Sequence, residues 1–240
     1  MSTPHFFVET VADPLIVLSP EDSRHALRAL RLRPGDQVSV SDGRGGVGRG
    51  RLEGEREGRA TVALEETDRV VRRAPLFSVA LAPPTGERLA WAVQKLAEVG
   101  VDEALLIHTE RSVRTWRGER VGRAVARMGV VAREAAMQSR RPFLMEVQGG
   151  LALDDVLHAG AAPVVMLWEE ATEPVAARLP DDASGVRLIV GPEGGFSSAE
   201  AERAREAGAA LATLGPAILR TETAAVVGAA LVLARYGRLG

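Results

Sequence analysis

The feature that most constrains the fold is a pair of glycine-rich loops, each placed between an apolar strand and a helix. The first loop, residues 191–195, follows the apolar run 188–190 and precedes Ser197, which begins a helix-capping sequence. The second loop starts at Gly215, after an apolar stretch that ends at Leu214. Loops at the carboxyl ends of neighbouring parallel strands form a crevice, the usual ligand site of an open α/β sheet. The sequence therefore predicts a ligand crevice between these two loops.

The first loop is suited to a planar ligand. Its glycines, Gly191, Gly194 and Gly195, leave peptide N–H and C=O groups open to close approach, so the main chain could recognise a ring such as adenine. The alternative is that these glycines only shape tight turns, while Glu193 caps a helix or is solvated. Two such loops in tandem favour a ligand site.

From Leu76 onward, short apolar strands alternate with helices. This alternation predicts the α/β class, with a mostly parallel sheet covered by helices on both faces. The last helix is apolar on nearly every face, so we expect it to be buried all round, as a central packing helix or at a subunit interface. The predicted strands are 76–81, 104–107, 143–147, 163–168, 187–190 and 210–214, and the predicted helices are 86–99, 117–139, 154–158, 199–207 and 221–236.

The first seventy or so residues instead contain short strands separated by turns, with one short helix at 20–30. This pattern suggests a small β-barrel. A polar joint at 68–74, followed by Pro75, marks the predicted boundary between a domain of residues 1–72 and a domain of residues 73–240. The strands of the barrel are predicted at 5–9, 15–18, 37–41, 48–53 and 59–65.

Composition excludes several kinds of site. The chain has no cysteine, and its four histidines lack metal-ligand spacing, so we expect no disulfide and no metal. The only lysine, Lys95, lies inside a predicted helix, which excludes a P-loop, and no G-x-G-x-x-G fingerprint follows the strand at 76–81. Without a signal sequence or a membrane-length apolar segment, the protein is expected to be soluble and cytoplasmic, with no membrane partner.

Positive charge is concentrated in the middle of the chain. The formal net charge is only −2, but residues 108–145 carry nine arginines against three acidic residues. Arginines recur there at every third position from Arg111 to Arg123, which would give a helix a broad basic face suited to phosphate. In the first domain, Arg24, Arg28 and Arg31 lie near one helix and could contact an RNA backbone. The alternative for both groups is a solvated basic face.

These motifs resemble, in order along the chain, those of the ribosomal small subunit methyltransferase E (RsmE) family. The resemblance is carried by residues 189–197 and 214–224, which contain the two glycine loops. Further agreement comes from 95–101, 110–113, 134–139 and, in the first domain, from 25–36.

The resemblance implies a PUA-like β-barrel followed by a SPOUT-type α/β domain with a C-terminal trefoil knot, acting as a homodimer. The implied activity is transfer of a methyl group from S-adenosylmethionine to N3 of one uridine in the decoding region of 16S ribosomal RNA, within the assembled 30S subunit. The implied cofactor-binding residues are Leu167, Gly191, Pro192, Glu193, Gly194, Gly195, Leu214, Gly215, Ile218 and Leu219.

Uracil N3 is protonated in its neutral form, so such an enzyme must remove a proton and stabilise negative charge on the base. Arg220 and Arg111 are the candidates for contact with the oxyanion or a phosphate. Glu222 is either the base or a carboxylate that positions an arginine. Two other functions stay open on the sequence: a non-catalytic RNA-binding protein, and a related knotted enzyme that methylates tRNA or a ribose hydroxyl. The candidate RNA-binding residues are Arg24, Arg28, Arg31, Arg111, Arg114 and Gln138.

Overall fold

The computed structural model describes residues 3–113, 118–160 and 162–239. The chain divides into two compact units. Unit 1 comprises Met1–Arg72 and Ala136–Leu144, and unit 2 comprises Arg73–Ala135 and Met145–Gly240. The division after residue 72 falls within the polar joint seen in the sequence, whereas the return of 136–144 to unit 1 was not predicted.

Unit 1 is built on one five-stranded sheet in the order β1-β3-β4-β5-β2, in which only the β1–β3 pair is parallel. Its inward side chains, among them Phe6, Val40 and Val62, form a separate apolar core. The helix predicted at 20–30 is present as α1 followed by one π-helical turn, His25–Ala29. The elements are β1 (His5–Phe7), β2 (Leu15–Val17), α1 (Pro20–Arg24), β3 (Gln37–Ser41), β4 (Gly46–Arg56) and β5 (Arg59–Arg69).

A buried histidine joins two of these strands. The ring nitrogens of His5 lie 3.0 and 3.1 Å from the hydroxyl oxygens of Ser39 and Ser41 on β3. Burial, with a smaller effect from the positive charge of Arg140, lowers the pKa of His5 to about 4. The ring is therefore neutral at neutral pH, and unit 1 does not carry a buried charge at this position.

Unit 2 is built on a six-stranded sheet in the order β11-β9-β10-β6-β7-β8, and all its strand pairs are parallel. The chain runs from β6 outward to β8 and then resumes on the other side of β6, so the strand order reverses there. The elements are β6 (Leu76–Leu81), α2 (Arg88–Val99), β7 (Glu103–His108), α3 (Glu119–Gln138), β8 (Glu146–Ala152), α4 (Leu153–His158), β9 (Val164–Leu167), a 3-10 turn (Val175–Arg178), β10 (Gly185–Val190), α5 (Ser198–Glu206), β11 (Ala210–Ala212) and α6 (Thr221–Arg235).

Helices cover both faces of this sheet, as predicted. On β6, Phe77, Val79 and Leu81 point to a core shared with α2 and α6, while Ala80 points to a second core shared with α4 and α5. Strands buried on both faces read as continuous apolar runs, which is how they appear in the sequence.

The last helix lies very close to the sheet because it carries a glycine at the crossing. A Cβ on Gly228 would stand 2.7 Å from Cδ2 of Leu188 on β10. The expectation that α6 is buried all round was wrong within one chain, since Val227 is 37% exposed and Leu231 is 43% exposed. These two residues lie four positions apart and therefore on one face, so α6 packs on the sheet with one side and leaves an apolar stripe uncovered.

One predicted strand was displaced. The sequence predicted a strand at 143–147, and the structure has β8 at Glu146–Ala152. Phe143 is held within unit 1, where the guanidinium carbon of Arg72 lies 4.3 Å from its ring centroid and Arg44 forms a β-bridge with it. The chain therefore joins the second sheet only after Met145.

The segment after α6 is fixed by a buried ion pair. Arg238 Nη1 lies 2.7 Å from Asp102 Oδ2, and its Nη2 lies 3.2 Å from Oδ1. Asp102 also accepts the backbone N–H of Phe77 at 2.8 Å. This carboxylate therefore ties the end of the chain to the start of β6. Among the helices of the described residues, none has the length and apolar character needed to cross a membrane.

Candidate functional site

A crevice opens in unit 2 at the carboxyl ends of β9, β10 and β11, which are neighbours in the sheet. It is lined by three segments that follow these strands, within 167–169, 190–196 and 212–219, together with Thr221 and Ala224 of α6. Of the ten predicted cofactor-binding residues, nine line the crevice. Gly194 is the exception, because it does not belong to the lining and its carbonyl is bonded to Arg111 instead.

In the structure the first loop, predicted at 191–195, extends to Phe196 and is a tight turn. Its Gly195 N–H donates to the carbonyl of Pro192 at 2.9 Å, and Gly195 has a φ of +67°, a conformation that glycine adopts without strain. At its end the predicted capping box is present, with Ser197 Oγ accepting the Glu200 N–H and the Glu200 carboxylate accepting the Ser197 N–H. The backbone of this loop is therefore set before any ligand binds.

Side chains from elsewhere in unit 2 hold the first loop in place. Arg111 Nη1 donates to the carbonyls of Gly194 and Phe196 at 2.9 and 3.3 Å. The hydroxyl of Thr221 donates to the carbonyl of Gly191 at 3.0 Å, so the start of α6 is tied to the same loop. Arg111, predicted as a catalytic and RNA-binding candidate, thus acts in this structure as a support for the crevice wall.

The two glutamates beside this loop are also anchored. Glu193 Oε1 lies 3.0 Å from Arg88 Nη2 and accepts the backbone N–H of Thr85 at 3.3 Å. Glu193 is exposed but not free, because it contacts the segment that enters α2. On the other side of the loop, the hydrogen bond from the Ser197 side chain lowers the pKa of the Glu110 carboxyl below its usual value. Both interactions join the loop to distant parts of the sequence.

The second loop, predicted to start at Gly215, spans 213–220 in the structure because β11 ends at Ala212, and it has few internal bonds. Thr213 Oγ1 bonds both peptide groups of Gly215, at 3.0 and 3.1 Å. In the described parts of the chain, the backbone N–H groups of Ala217, Ile218 and Leu219 have no hydrogen-bond partner. The side chain of Ile218 is 90% exposed. This wall therefore offers open peptide groups and an uncovered apolar side chain beside the crevice.

The segment after β9 contributes residues that were missed in the sequence. Trp168 and Glu169 line the crevice, and the guanidinium carbon of Arg205 lies 5.3 Å from the Trp168 ring centroid. The signal was present, because Trp168 ends the strand predicted at 163–168 and Glu169 follows it. The predicted site included only Leu167 from this segment. Thr221 and Arg88 were also missed, since their roles depend on contacts that residue spacing does not reveal.

Arg220 and Glu222 flank the start of α6, as predicted. Arg220 occupies the N-cap position with an exposed side chain. Glu222 is only 7% exposed, and its Oε2 has no hydrogen-bond partner in the described residues. A buried carboxylate oxygen without a partner is costly, so this atom is a candidate for contact with a group that binds later.

The predicted RNA-binding residues are found in two places. Arg24, Arg28 and Arg31 are exposed in unit 1, around α1 and the π-helical turn, and Gln138 is exposed at the last position of α3. Arg111 is bonded to the first loop. Arg114 lies outside the described residues. Three arginines of the basic region, Arg120, Arg123 and Arg127, form an exposed stripe along α3.

Comparison with known proteins decides the family. Residues 73–233 match the model of an RNA methyltransferase domain, and residues 18–65 match that of an RNA methyltransferase PUA domain. The ribosomal RNA small subunit methyltransferase E of Mycobacterium bovis is 36% identical over 232 residues, which cover 92% of this chain and 88% of the relative. The chain belongs to the RsmE family. These matches confirm the predicted fold class of a PUA-type unit followed by an α/β methyltransferase unit; the trefoil knot stays a prediction.

Solved structures agree with the RsmE assignment over nearly the whole chain. A methyltransferase of Legionella pneumophila, solved with bound SAM, has a TM-score of 0.87 and 27% identity over 98% of both chains. An RsmE of Neisseria gonorrhoeae bound to S-adenosylmethionine has a TM-score of 0.86 and 25% identity, also over 98% of both chains. Both relatives therefore hold the methyl donor on the fold that this chain shares.

Proposed function

We propose that this chain transfers a methyl group from S-adenosylmethionine to 16S ribosomal RNA of the small subunit, at N3 of a uridine in the decoding region. The observation that carries the proposal is the crevice at the ends of β9, β10 and β11, formed by the two loops that mark the RsmE family. Because the substrate is ribosomal, we place the reaction in the cytoplasm.

The residues of the crevice are suited to this donor. The unpartnered peptide N–H groups of residues 217–219 can bond the nitrogens of adenine, and Leu214 and Ile218 supply apolar contacts to the ring. The charged side chains of the lining are Glu169 and Glu193, which suits a ligand that carries positive charge on sulfur and on its amino group. We assign donor binding to the predicted set, with Gly194 acting through its bond to Arg111.

The methyl group is already activated when it is carried on a sulfonium, so this chain's residues must orient the uracil and manage its N3 proton. Arg220 is exposed beside the crevice and has no partner in the described residues. We assign it to the negative charge that spreads onto the uracil oxygens as N3 loses its proton, a role that guanidinium fulfils well. The N3 proton goes to a general base of the protein or to solvent. Methylation of N3 then leaves a neutral methyluracil.

Glu222 keeps two possible roles, as base or as the carboxylate that positions an arginine. Its burial favours the second role, because an RNA base cannot easily reach a side chain that is 7% exposed. The two roles differ in the Glu222→Gln variant. If Glu222 is the general base, the variant loses the fall in turnover toward acidic pH. If Glu222 positions an arginine, turnover is lower at every pH and the fall toward acidic pH stays in place.

The RNA surface is assigned from exposed arginines. Arg24, Arg28 and Arg31 form no ion pair within the described residues, so unit 1 offers three free cations to phosphate. In unit 2 the stripe of Arg120, Arg123 and Arg127 on α3 is suited to the same contact. Gln138 and Arg114 stay in the proposed set from the sequence alone.

We also propose a homodimer and a C-terminal knot, as the family implies. The uncovered apolar stripe of α6, with Val227 and Leu231, supports the dimer, since a second copy would cover it. The bond from Thr221 at the start of α6 to Gly191 in the first loop supports close passage of the C-terminal segment beside an earlier loop.

The test is a transfer assay with radiolabelled methyl donor on three substrates: naked 16S RNA, assembled 30S subunits and tRNA, followed by nucleoside identification. We expect 3-methyluridine in 30S subunits, with less or none in naked RNA and none in tRNA. Label in tRNA or on a ribose hydroxyl would replace the proposal by the related knotted enzyme. Absence of label on all three, with no heat from S-adenosylmethionine in calorimetry, would support the RNA-binding protein.

A further inference from the structure

One unpaired carboxylate, that of Glu169, stands at the wall of the crevice. Glu169 follows β9, is exposed, and lies across from the first loop, with its Oε1 3.5 Å from the point where a Cβ on Gly195 would stand. Within the described residues it forms no ion pair and no hydrogen bond. Its charge is therefore not neutralised by a neighbouring side chain.

The other charged side chain of the lining, that of Glu193, is already paired, whereas Arg220 is unpaired but stands beside the crevice and outside its lining. Glu193 is matched by Arg88 at 3.0 Å. Beside the wall after β9, Arg205 lies over the Trp168 ring and pairs with Glu202 at 3.1 Å. No basic side chain belongs to the crevice lining among the described residues. The unbalanced charge in the lining is thus a single negative one, and it comes from Glu169.

The methyl donor and its product differ in charge at one atom. S-adenosylmethionine carries a sulfonium, and S-adenosylhomocysteine carries a neutral thioether, while adenine, ribose and the amino-acid group are the same in both. Hydrogen bonds to the shared groups hold donor and product alike. A carboxylate in the wall attracts the amino group of both ligands and, in the donor alone, also the sulfonium, because Coulomb attraction does not need direct contact.

We propose that Glu169 is the specificity residue that makes this crevice prefer the cationic donor to its neutral product, an inference that rests on the proposed function. Loss of the sulfonium charge during methyl transfer removes the attraction, so the same carboxylate that favours donor binding favours product release. Glu169 needs no contact with the reacting methyl group for this effect.

The chain offers a matched control in the next residue. Glu170 is also exposed and lies in the same segment, but it does not line the crevice. Glu170→Gln removes the same charge from the protein at almost the same place. Glu169→Asp is the complementary variant, since it keeps the charge and shortens the side chain.

The experiment is calorimetric titration of the full chain with S-adenosylmethionine, S-adenosylhomocysteine and sinefungin, the analogue that carries an amine in place of the methyl sulfonium. In Glu169→Gln we expect binding of the two cationic ligands to weaken about fivefold, the size of one partly exposed charge interaction, with the product's Kd nearly unchanged. Glu170→Gln should bind all three like wild type, and Glu169→Asp should keep most of the preference. Added salt should narrow the difference between donor and product in wild type but not in Glu169→Gln.

Two outcomes would overturn the inference. Equal weakening of all three ligands in Glu169→Gln would mean that the carboxylate bonds a shared group such as the ribose hydroxyls. Unchanged binding of all three would mean that it has no role in the crevice. Failure of the wild-type protein to bind any of the three is a different result, because it would refute the proposed function itself. Since the side chain is exposed, unchanged thermal unfolding of the variants verifies that they are folded.

Discussion

The two loops that form the crevice look alike in the sequence and differ in the structure. The first is held by its own turn and by side chains from three other elements, namely Arg111, Arg88 through Glu193, and Thr221. The second is tied to another segment only at Thr213, whose backbone bonds Glu173 and Val175, and it leaves the N–H groups of 217–219 without partners in the described residues. One wall is therefore built before binding, and the other is left to be completed by a ligand.

This difference matters for how the binding free energy is used. A pre-formed wall loses little conformational entropy when a ligand arrives, whereas open peptide groups gain hydrogen bonds that the free protein lacks. The first loop should therefore control affinity through its supports. The second loop should control recognition, and at its end, with Arg220, the chemistry. Four substitutions test this division.

The largest effect is expected at the end of the second loop. Arg220→Ala should lower turnover about 100-fold, the usual loss for one donor to a developing oxyanion, because no other free cation stands at the start of α6 in the described residues. The Kd for S-adenosylmethionine should change little. Steady-state methyl transfer and calorimetry measure the two quantities separately.

Arg235→Ala is the control for that variant, since Arg235 is also an exposed arginine of α6 and pairs with Asp181 away from the crevice. Its turnover should match wild type. Unchanged turnover in Arg220→Ala would remove Arg220 from the mechanism, and an equal loss of donor affinity would place it in the donor site.

The next effect is in the first loop, at the residue with positive φ. Gly195→Ala puts a Cβ in the left-handed region, which costs about 1–2 kcal/mol, although the new atom meets Glu169 only at an ordinary 3.5 Å. The loop can relieve this strain by changing shape. We expect the Kd for S-adenosylmethionine to rise about tenfold, since a factor of ten corresponds to about 1.4 kcal/mol.

Gly160→Ala separates strain from site geometry. Gly160 has a φ of +74° with open space around the missing Cβ, and it does not line the crevice. Both variants should lose similar stability in thermal unfolding, and only Gly195→Ala should lose donor affinity. If Gly195→Ala and Gly160→Ala bind S-adenosylmethionine equally well, the first loop is not a fixed wall.

The sequence predicted most of this architecture because its signals are local. The strand at 76–81 has its predicted bounds. The loops after β10 and β11 were each predicted from an apolar run, a glycine turn and a helix in succession, with a helix cap in the first loop only. Glu169 also follows an apolar run, but the segment after β9 contains no glycine, so it lacks the turn signal that marks the other two loops.

The supports of the first loop could not be predicted in this way. Arg111 reaches a carbonyl 83 positions further along the chain, and Thr85 donates to a carboxylate 108 positions away. Such pairs depend on which strands become neighbours, and residue spacing does not encode that. The return of 136–144 to unit 1 and the shift of the strand predicted at 143–147 have the same origin, since this segment is bonded to unit 1. Phe143 contacts Arg72 and Arg44, and the Leu144 N–H donates to the Gly43 carbonyl.

The support from Arg111 gives the third prediction. Arg111→Gln removes charge-assisted bonds to the carbonyls of Gly194 and Phe196, and because the side chain is exposed we expect a loss of about 1 kcal/mol, or about fivefold in donor affinity. Hydrogen exchange in 194–197 should become faster. Arg123→Gln, an exposed arginine on α3, should change neither measurement. If Arg111→Gln lowers turnover without changing donor affinity or exchange, Arg111 contacts substrate, as the sequence first indicated.

The smallest effect is expected where the C-terminal helix touches the first loop. Thr221→Val keeps the shape of the side chain and removes only the hydroxyl that donates to Gly191. One such hydrogen bond contributes a net free energy of about 0.5–1.5 kcal/mol, which sets an upper limit of about threefold to tenfold on the loss of donor affinity. Part of it will appear as lower stability, so we expect about threefold in donor affinity. Thr223→Val, two residues further along α6 with no hydroxyl bond in the described residues, should bind like wild type. If both variants bind like wild type, the pre-formed wall depends on Arg111 and Glu193, and the contact from α6 only follows from the close passage of the helix.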